Sequence, residues 1–119
     1  LKTQVLKLFI MLEALFNSKI KERILLTLLV RKELYARDLA AIFSGSLSPV
    51  QNQLKKLEKG GVVVSRLKGR TRLYSFNPRY PFLKQIEGLL TKVLSFVPAY
   101  ERKKYYTPRL RPRRAGKPL

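Results

Sequence analysis

The chain has no cysteine and no histidine. Disulfides are therefore excluded, and so is any zinc site built from thiolate or imidazole. The same absences remove the commonest general base and the thiol nucleophile. Acids are scarce too, with seven Asp and Glu in 119 residues. Glu13, Glu22, Glu33, Asp38, Glu58 and Glu87 fall singly on predicted helix surfaces or ends, so an oxygen-only metal site is not expected. Neither catalysis, nor a metal, nor a cofactor is expected. Long apolar runs are missing as well. Leu8–Leu12 and Ile24–Leu29, the latter broken by Thr27, fall far short of the roughly 20 residues of a membrane span. The first fifteen residues are amphipathic, with charges at Lys2, Lys7 and Glu13 and no small-residue cleavage site. A cytoplasmic protein with no membrane partner is the expectation.

Positive charge is what the chain has in excess. Its 26 Lys and Arg give a net charge of +19, and the pI is about 10.8. Folding does not need that imbalance, which stores self-repulsion. A polyanionic partner accounts for it, nucleic acid first and an anionic membrane surface second. With 45% apolar residues the chain can build one ordinary core. Residues 1–98 are expected to form one domain. Residues 99–119 carry eight basic side chains, one acid and three prolines, and read as an extended basic tail.

Apolar spacing predicts a first helix over 3–16 from Val5, Leu8, Leu12 and Leu15, with Phe9 and Phe16 alongside. Ser18 caps a second helix over 19–31. A short third helix covers 36–43, with Leu39, Ile42 and Phe43 inward. Residues 44–46 turn the chain. A fourth helix over 47–59 stops at Gly60-Gly61. Ser48 and Gln51 fit a capping box with Pro49 at the first helical position, and Ser46 is the alternative cap. Residues 62–67 and 71–77 are two strands joined at Lys68-Gly69-Arg70. A last helix runs over 81–97 between Pro81 and Pro98. The expected fold is mainly α with a small β-hairpin, in the order of four helices, hairpin, helix: a winged helix-turn-helix.

The fourth helix carries the chemistry. At about 100° per residue, Val50, Leu54 and Leu57 fall within about 60° of one another and form the inward stripe. Ser48, Gln51, Asn52, Lys55 and Lys59 share the outward arc, with Lys56 just beyond and Ser46 and Pro49 at the start; no acid lies on that arc. Gln and Asn can pair bidentately with adenine, Lys can reach guanine or phosphate, and Ser can serve either. The alternative is an ordinary solvated face. In the hairpin Arg66, Lys68, Arg70 and Arg72 suit phosphates or a narrow minor groove. Protection of a sheet edge is the other reading of those charges.

The last helix has two apolar rows. Leu83, Ile86, Leu90, Val93 and Val97 make a heptad-like seam, and Phe82, Leu89 and Phe96 stand seven apart beside it. One core does not need both. A homodimer through the terminal helices is expected, with Leu8, Leu12, Leu15, Ile86, Leu90, Val93 and Val97 at the interface. Packing of the two helices within one chain is the alternative. In the tail, Arg109, Arg111, Arg113 and Arg114 alternate with prolines and suit phosphate binding or a minor-groove arm. Tyr105 and Tyr106 either anchor the tail on the domain or stack on single-stranded bases.

The pattern S-x-S-x-V-x-x-x-L-K-x-L-E-x-x-G-x-V is carried here by Ser46, Ser48, Val50, Leu54, Lys55, Leu57, Glu58, Gly61 and Val63. With Gly69 and Tyr74 in the following hairpin, it resembles the ArsR-type winged-helix transcriptional regulators over residues 3–97. The resemblance implies a dimeric DNA-binding repressor that dimerises through its terminal helices. It places DNA contacts at Ser48, Pro49, Gln51, Asn52, Lys55 and the wing arginines. Metal-sensing members bind metal through Cys, His and acidic clusters, so the resemblance is to metal-independent members. The expected partner is double-stranded DNA with an inverted repeat, with an effector or partner protein left unidentified. An RNA-binding or ribosome-associated module, and a protein-interaction adaptor, are the alternatives.

Overall fold

The computed structural model describes residues 10–108. Along them run α1 (Glu13–Phe16), α2 (Lys19–Arg31), β1 (Leu34–Tyr35), α3 (Ala36–Ile42), α4 (Leu47–Lys59), β2 (Val63–Lys68), β3 (Thr71–Phe76), α5 (Leu83–Phe96) and α6 (Ala99–Tyr105). The architecture is a winged helix: α2, α3 and α4 form the trihelical core, and the β2–β3 hairpin is the wing.

Helix α2 is the centre. Ser18 caps it, its hydroxyl accepting the Lys21 N–H at 2.9 Å. Residues Ile24 to Leu28 are all buried, so α2 is enclosed on every side rather than striped along one face. Helices α4 and α5 pack on it, and α3 crosses α4. The sheet is antiparallel in the order β1-β3-β2. The sequence predicts only the hairpin. The two-residue strand β1, pairing Leu34 with Tyr74 and Tyr35 with Leu73, is added by the structure.

Other differences from the expected elements have local causes. Within the described residues the first helix is one turn, not a helix over 3–16; residues 1–9 lie outside them. In a continuous helix the Met11 and Leu12 N–H groups would bond four residues back. Here both donate to the carboxylate of Glu22, at 2.9 and 2.6 Å, and Glu22 is fully buried. The last helix begins at Leu83 because Pro81 and Phe82 are spent in a turn closed by the Leu83 N–H on Tyr80 O.

The start of the expected tail differs too. Residues 99–105 are helical, and Glu101 and Tyr106 are buried. Tyr105 stacks on Phe43 at 4.8 Å, and Tyr106 lies tilted against the same ring. Arg23 covers Phe43 at 4.7 Å, and the Arg31 Nε–H donates to Thr107 O at 3.3 Å. Of the two sequence readings of the tyrosines, anchoring is the one the structure carries. Burial holds the Tyr106 hydroxyl well above the usual tyrosine range; Arg23 pulls it down, while Glu22 and Glu101 add to the rise. A raised folded-state pKa stabilises fully below the unfolded value, so this anchor is intact at neutral pH and weakens only above about pH 10.

Helix α4 ends as its glycines predict. Gly61 has φ +83°, its N–H donates to Glu58 O at 3.0 Å, and the Val62 N–H donates to Leu57 O at 2.9 Å. That is a Schellman ending. The Asn77 side chain donates to Gly61 O at 2.9 Å, tying the base of the wing to the end of the helix. Gly61→Ala is expected to cost about 1–2 kcal/mol from the left-handed backbone alone, read as a shift in the urea midpoint. No helix among the described residues is long and apolar enough to cross a membrane.

Candidate nucleic-acid interface

Helix α4 divides as the wheel predicts. Val50, Leu54 and Leu57 are buried. Ser48, Pro49, Gln51, Asn52, Lys55, Lys56 and Lys59 are exposed. The start differs from the expected capping box. Ser46 stands at the N-cap, its side chain makes no capping bond, and Leu47 is the first helical residue. Ser48 and Pro49 therefore lie within the first turn. A proline costs no hydrogen bond there, and Ser46 leaves the remaining first-turn N–H groups without a capping side chain.

The wing turns at Gly69-Arg70. Lys68 pairs with Thr71, and only Gly69 of the two loop residues has positive φ, at +67°. That is the pattern of a type II′ turn, which suits the twist of a hairpin. Strand alternation then sorts the wing cations, since neighbours point to opposite faces. Arg72 shares its face with Ser65, Tyr74 and Phe76, whereas Arg66 and Lys68 lie on the other face. Arg66 is bound to Glu33 there at 3.2 Å, with both side chains more than half exposed.

A cleft of about 400 Å³ opens between the start of α3, the outer face of α4 and the wing. Arg37, Lys55, Arg70 and Arg72 line it, together with Gln51 and Tyr74, and no acid does. Four like charges around one cleft repel one another, and an anion seated there relieves that repulsion. Burial raises the Tyr74 phenol above its usual range; Glu58 adds to this and Arg72 opposes it. Tyr74 therefore stays a neutral O–H at ordinary pH.

The structure brings together Gln51, Lys55, Arg70 and Arg72 from the sequence-derived set. Arg66 and Lys68 do not line the cleft. Arg37 was not singled out from the sequence, where it is one cation among 26 on a short helix. Its one local signal is its place in the first turn of α3, the helix before α4. The tail arginines Arg109, Arg111, Arg113 and Arg114, and Leu8 of the expected interface, lie outside the described residues.

The expected dimer interface needs correcting. Leu12, Leu90, Val93 and Val97 are buried in the chain's own core, and Ile86 is half-buried against it. For all but Leu12 the reason is that α5 lays this seam on α2. The other row is left outside: Phe82 is 59% exposed, Leu89 38% and Phe96 55%, with Leu15 at 69%.

No protein-family model and no curated protein matches the chain. Among solved structures the fold is similar to the adhesin competence repressor AdcR of Streptococcus pyogenes. The TM-score is 0.52 at 21% identity, over 77% of this chain and 78% of that one. It is also similar to an apo double mutant of ZitR from Lactococcus lactis. There the TM-score is 0.52 at 24% identity, over 76% of this chain and 68% of that one. At such identities the likeness is one of fold.

Proposed function

We propose that the chain is a homodimeric, sequence-specific regulator of transcription that binds double-stranded DNA and acts as a repressor. The observation that carries this reading is the acid-free cleft, where the polar face of α4 and Arg70 and Arg72 of the wing open on one side with Arg37. Helix α4 enters the major groove with Gln51, Asn52 and Lys55 toward base edges, and the wing lies on the adjoining backbone. The finer assignment, an ArsR-type member that works without metal, rests on the pattern from Ser46 to Val63 and on the lack of Cys and His. AdcR is itself named a repressor, which agrees with the proposed direction of control. Two copies joined at Phe82, Leu89 and Phe96 present two α4 helices to an inverted repeat. The arginines beyond residue 108 add a basic arm for phosphate.

The RNA reading draws on the positive charge and on the tyrosine-bearing tail. Tyr106 is buried and Tyr105 is stacked on Phe43, so the support from the tyrosines is gone.

Selection of bound duplexes from a random pool tests the proposal. One preferred sequence should emerge, and its affinity should fall steeply with salt. Lys55→Ala is expected to weaken that duplex by about 1–3 kcal/mol, and unrelated DNA by much less. An equal loss on both would make Lys55 a phosphate contact only. Arg70→Ala is expected to weaken both evenly. Equal or better binding to single strands or structured RNA in competition would overturn the duplex reading.

A further inference from the structure

One acid sits beside the DNA-facing side of the molecule without an obvious reason. Glu58 belongs to α4, is exposed, and adjoins the wing. Next to a polyanion a carboxylate is unfavourable, so something else must account for it. The Ser65 hydroxyl donates to Glu58 Oε2 at 2.8 Å. Ser65 Oγ in turn accepts from Arg72 Nη1 at 3.1 Å. A hydroxyl can do both at once. The three residues thus form a chain from α4, across β2, to the guanidinium on β3. Ser65 pairs with Tyr74, so Arg72 is its diagonal neighbour on the same face, within reach of a long side chain. Arg72 also lines the cleft with Lys55 and Arg70.

We propose that Glu58 and Ser65 are positioning residues for DNA binding that act through Arg72, holding its guanidinium aimed into the cleft. A free arginine must lose much side-chain freedom to hold one geometry. Here part of that ordering is done before the partner arrives, because one nitrogen is already held and the other donors remain for phosphate. Arg66, tied to Glu33 on the opposite face, has no such link to α4. The inference rests on the duplex-binding reading and adds to it which wing arginine is prepared and by what.

The test turns on sign. Simple electrostatics says that removing Glu58 from beside DNA tightens binding. The positioning role says that Glu58→Ala loosens it. Affinities for the preferred duplex should be measured for Glu58→Ala, Glu58→Gln, Ser65→Ala, Arg72→Ala and the Glu58→Ala/Ser65→Ala pair, with thermal melting to confirm that each is folded. Glu58→Ala and Ser65→Ala should each lose about fivefold to tenfold, as for one ordinary hydrogen bond. The pair should lose no more than either alone, because one chain is being cut twice. Glu58→Gln keeps an acceptor and drops the charge, so it should bind at least as well as the parent. In an Arg72→Ala background neither alanine should matter. The two alanine variants should also lower the salt slope by about one contact, which a purely structural fault would not do selectively. Equal tightening by Glu58→Ala and Glu58→Gln, or losses that persist without Arg72, would overturn the proposal while leaving DNA binding intact. If the parent protein binds no duplex, the function proposed above fails, and this inference fails with it.

Discussion

Replacing Leu89 and Phe96 together by aspartate is expected to convert the proposed dimer into a monomer and to remove most of the affinity for a two-half-site duplex. The substitutions lie on the row that α5 leaves outside the core, so the monomer itself should fold normally. In a twofold interface each residue is buried twice. At about 25 cal/mol per Å² of apolar surface, each half-exposed phenyl ring stabilises the pair by roughly 2 kcal/mol, and the added carboxylates repel their symmetry mates. Loss of the second half-site then removes the effective-concentration gain, about 10²–10⁴ in affinity. Light scattering and a mobility-shift titration check both parts. A single half-site duplex should bind the variant and the parent alike. If the parent is already a monomer at micromolar concentration, the exposed row serves another partner and the adaptor reading gains.

Glu22→Ala should produce the largest loss of stability of any polar substitution. The carboxylate is fully buried and accepts two backbone N–H groups, from Met11 and Leu12. Removing it leaves both donors without a partner, at about 1–3 kcal/mol each. Against the 5–15 kcal/mol that holds a typical domain together, a loss of about 2–5 kcal/mol is a large share. The melting temperature should fall by at least about 10 °C. Glu22→Gln, which keeps one acceptor oxygen, should fall between the two. A variant that melts like the parent would mean that the segment before α1 is held by something else.

The parts of the fold that were legible are those with local causes. Helix α4 is written in the spacing of Val50, Leu54 and Leu57 and in the stop at Gly60-Gly61, and the wing in its β-branched strands and Gly69. What stayed hidden depends on distant residues. Strand β1 is two residues long and exists because β3 is there to pair with it. Helix α6 is seven residues, AYERKKY, with no side-chain cap, and is placed by Tyr105 and Tyr106 against Phe43. Which of two apolar rows on α5 turns outward is decided by α2, not by α5. At the candidate site the outward arc of α4 was readable, because 3.6-residue periodicity alone sets it. The convergence of Arg37 with Arg70 and Arg72, and the separation of Arg66 from them, needed three dimensions. The strand parity of Arg72 with Tyr74 and Phe76 was a clue within reach.

The stacking of Tyr105 on Phe43 places the end of α6 against the C-cap of α3, one step before Ser44, whose backbone is left-handed at φ +55°. Shortening the protein at Pro98 would strip the lid from that corner and confuse a loss of arm with a loosened hinge between α3 and α4. Cutting after Thr107 keeps the bracket and removes the stretch that carries Arg109, Arg111, Arg113 and Arg114.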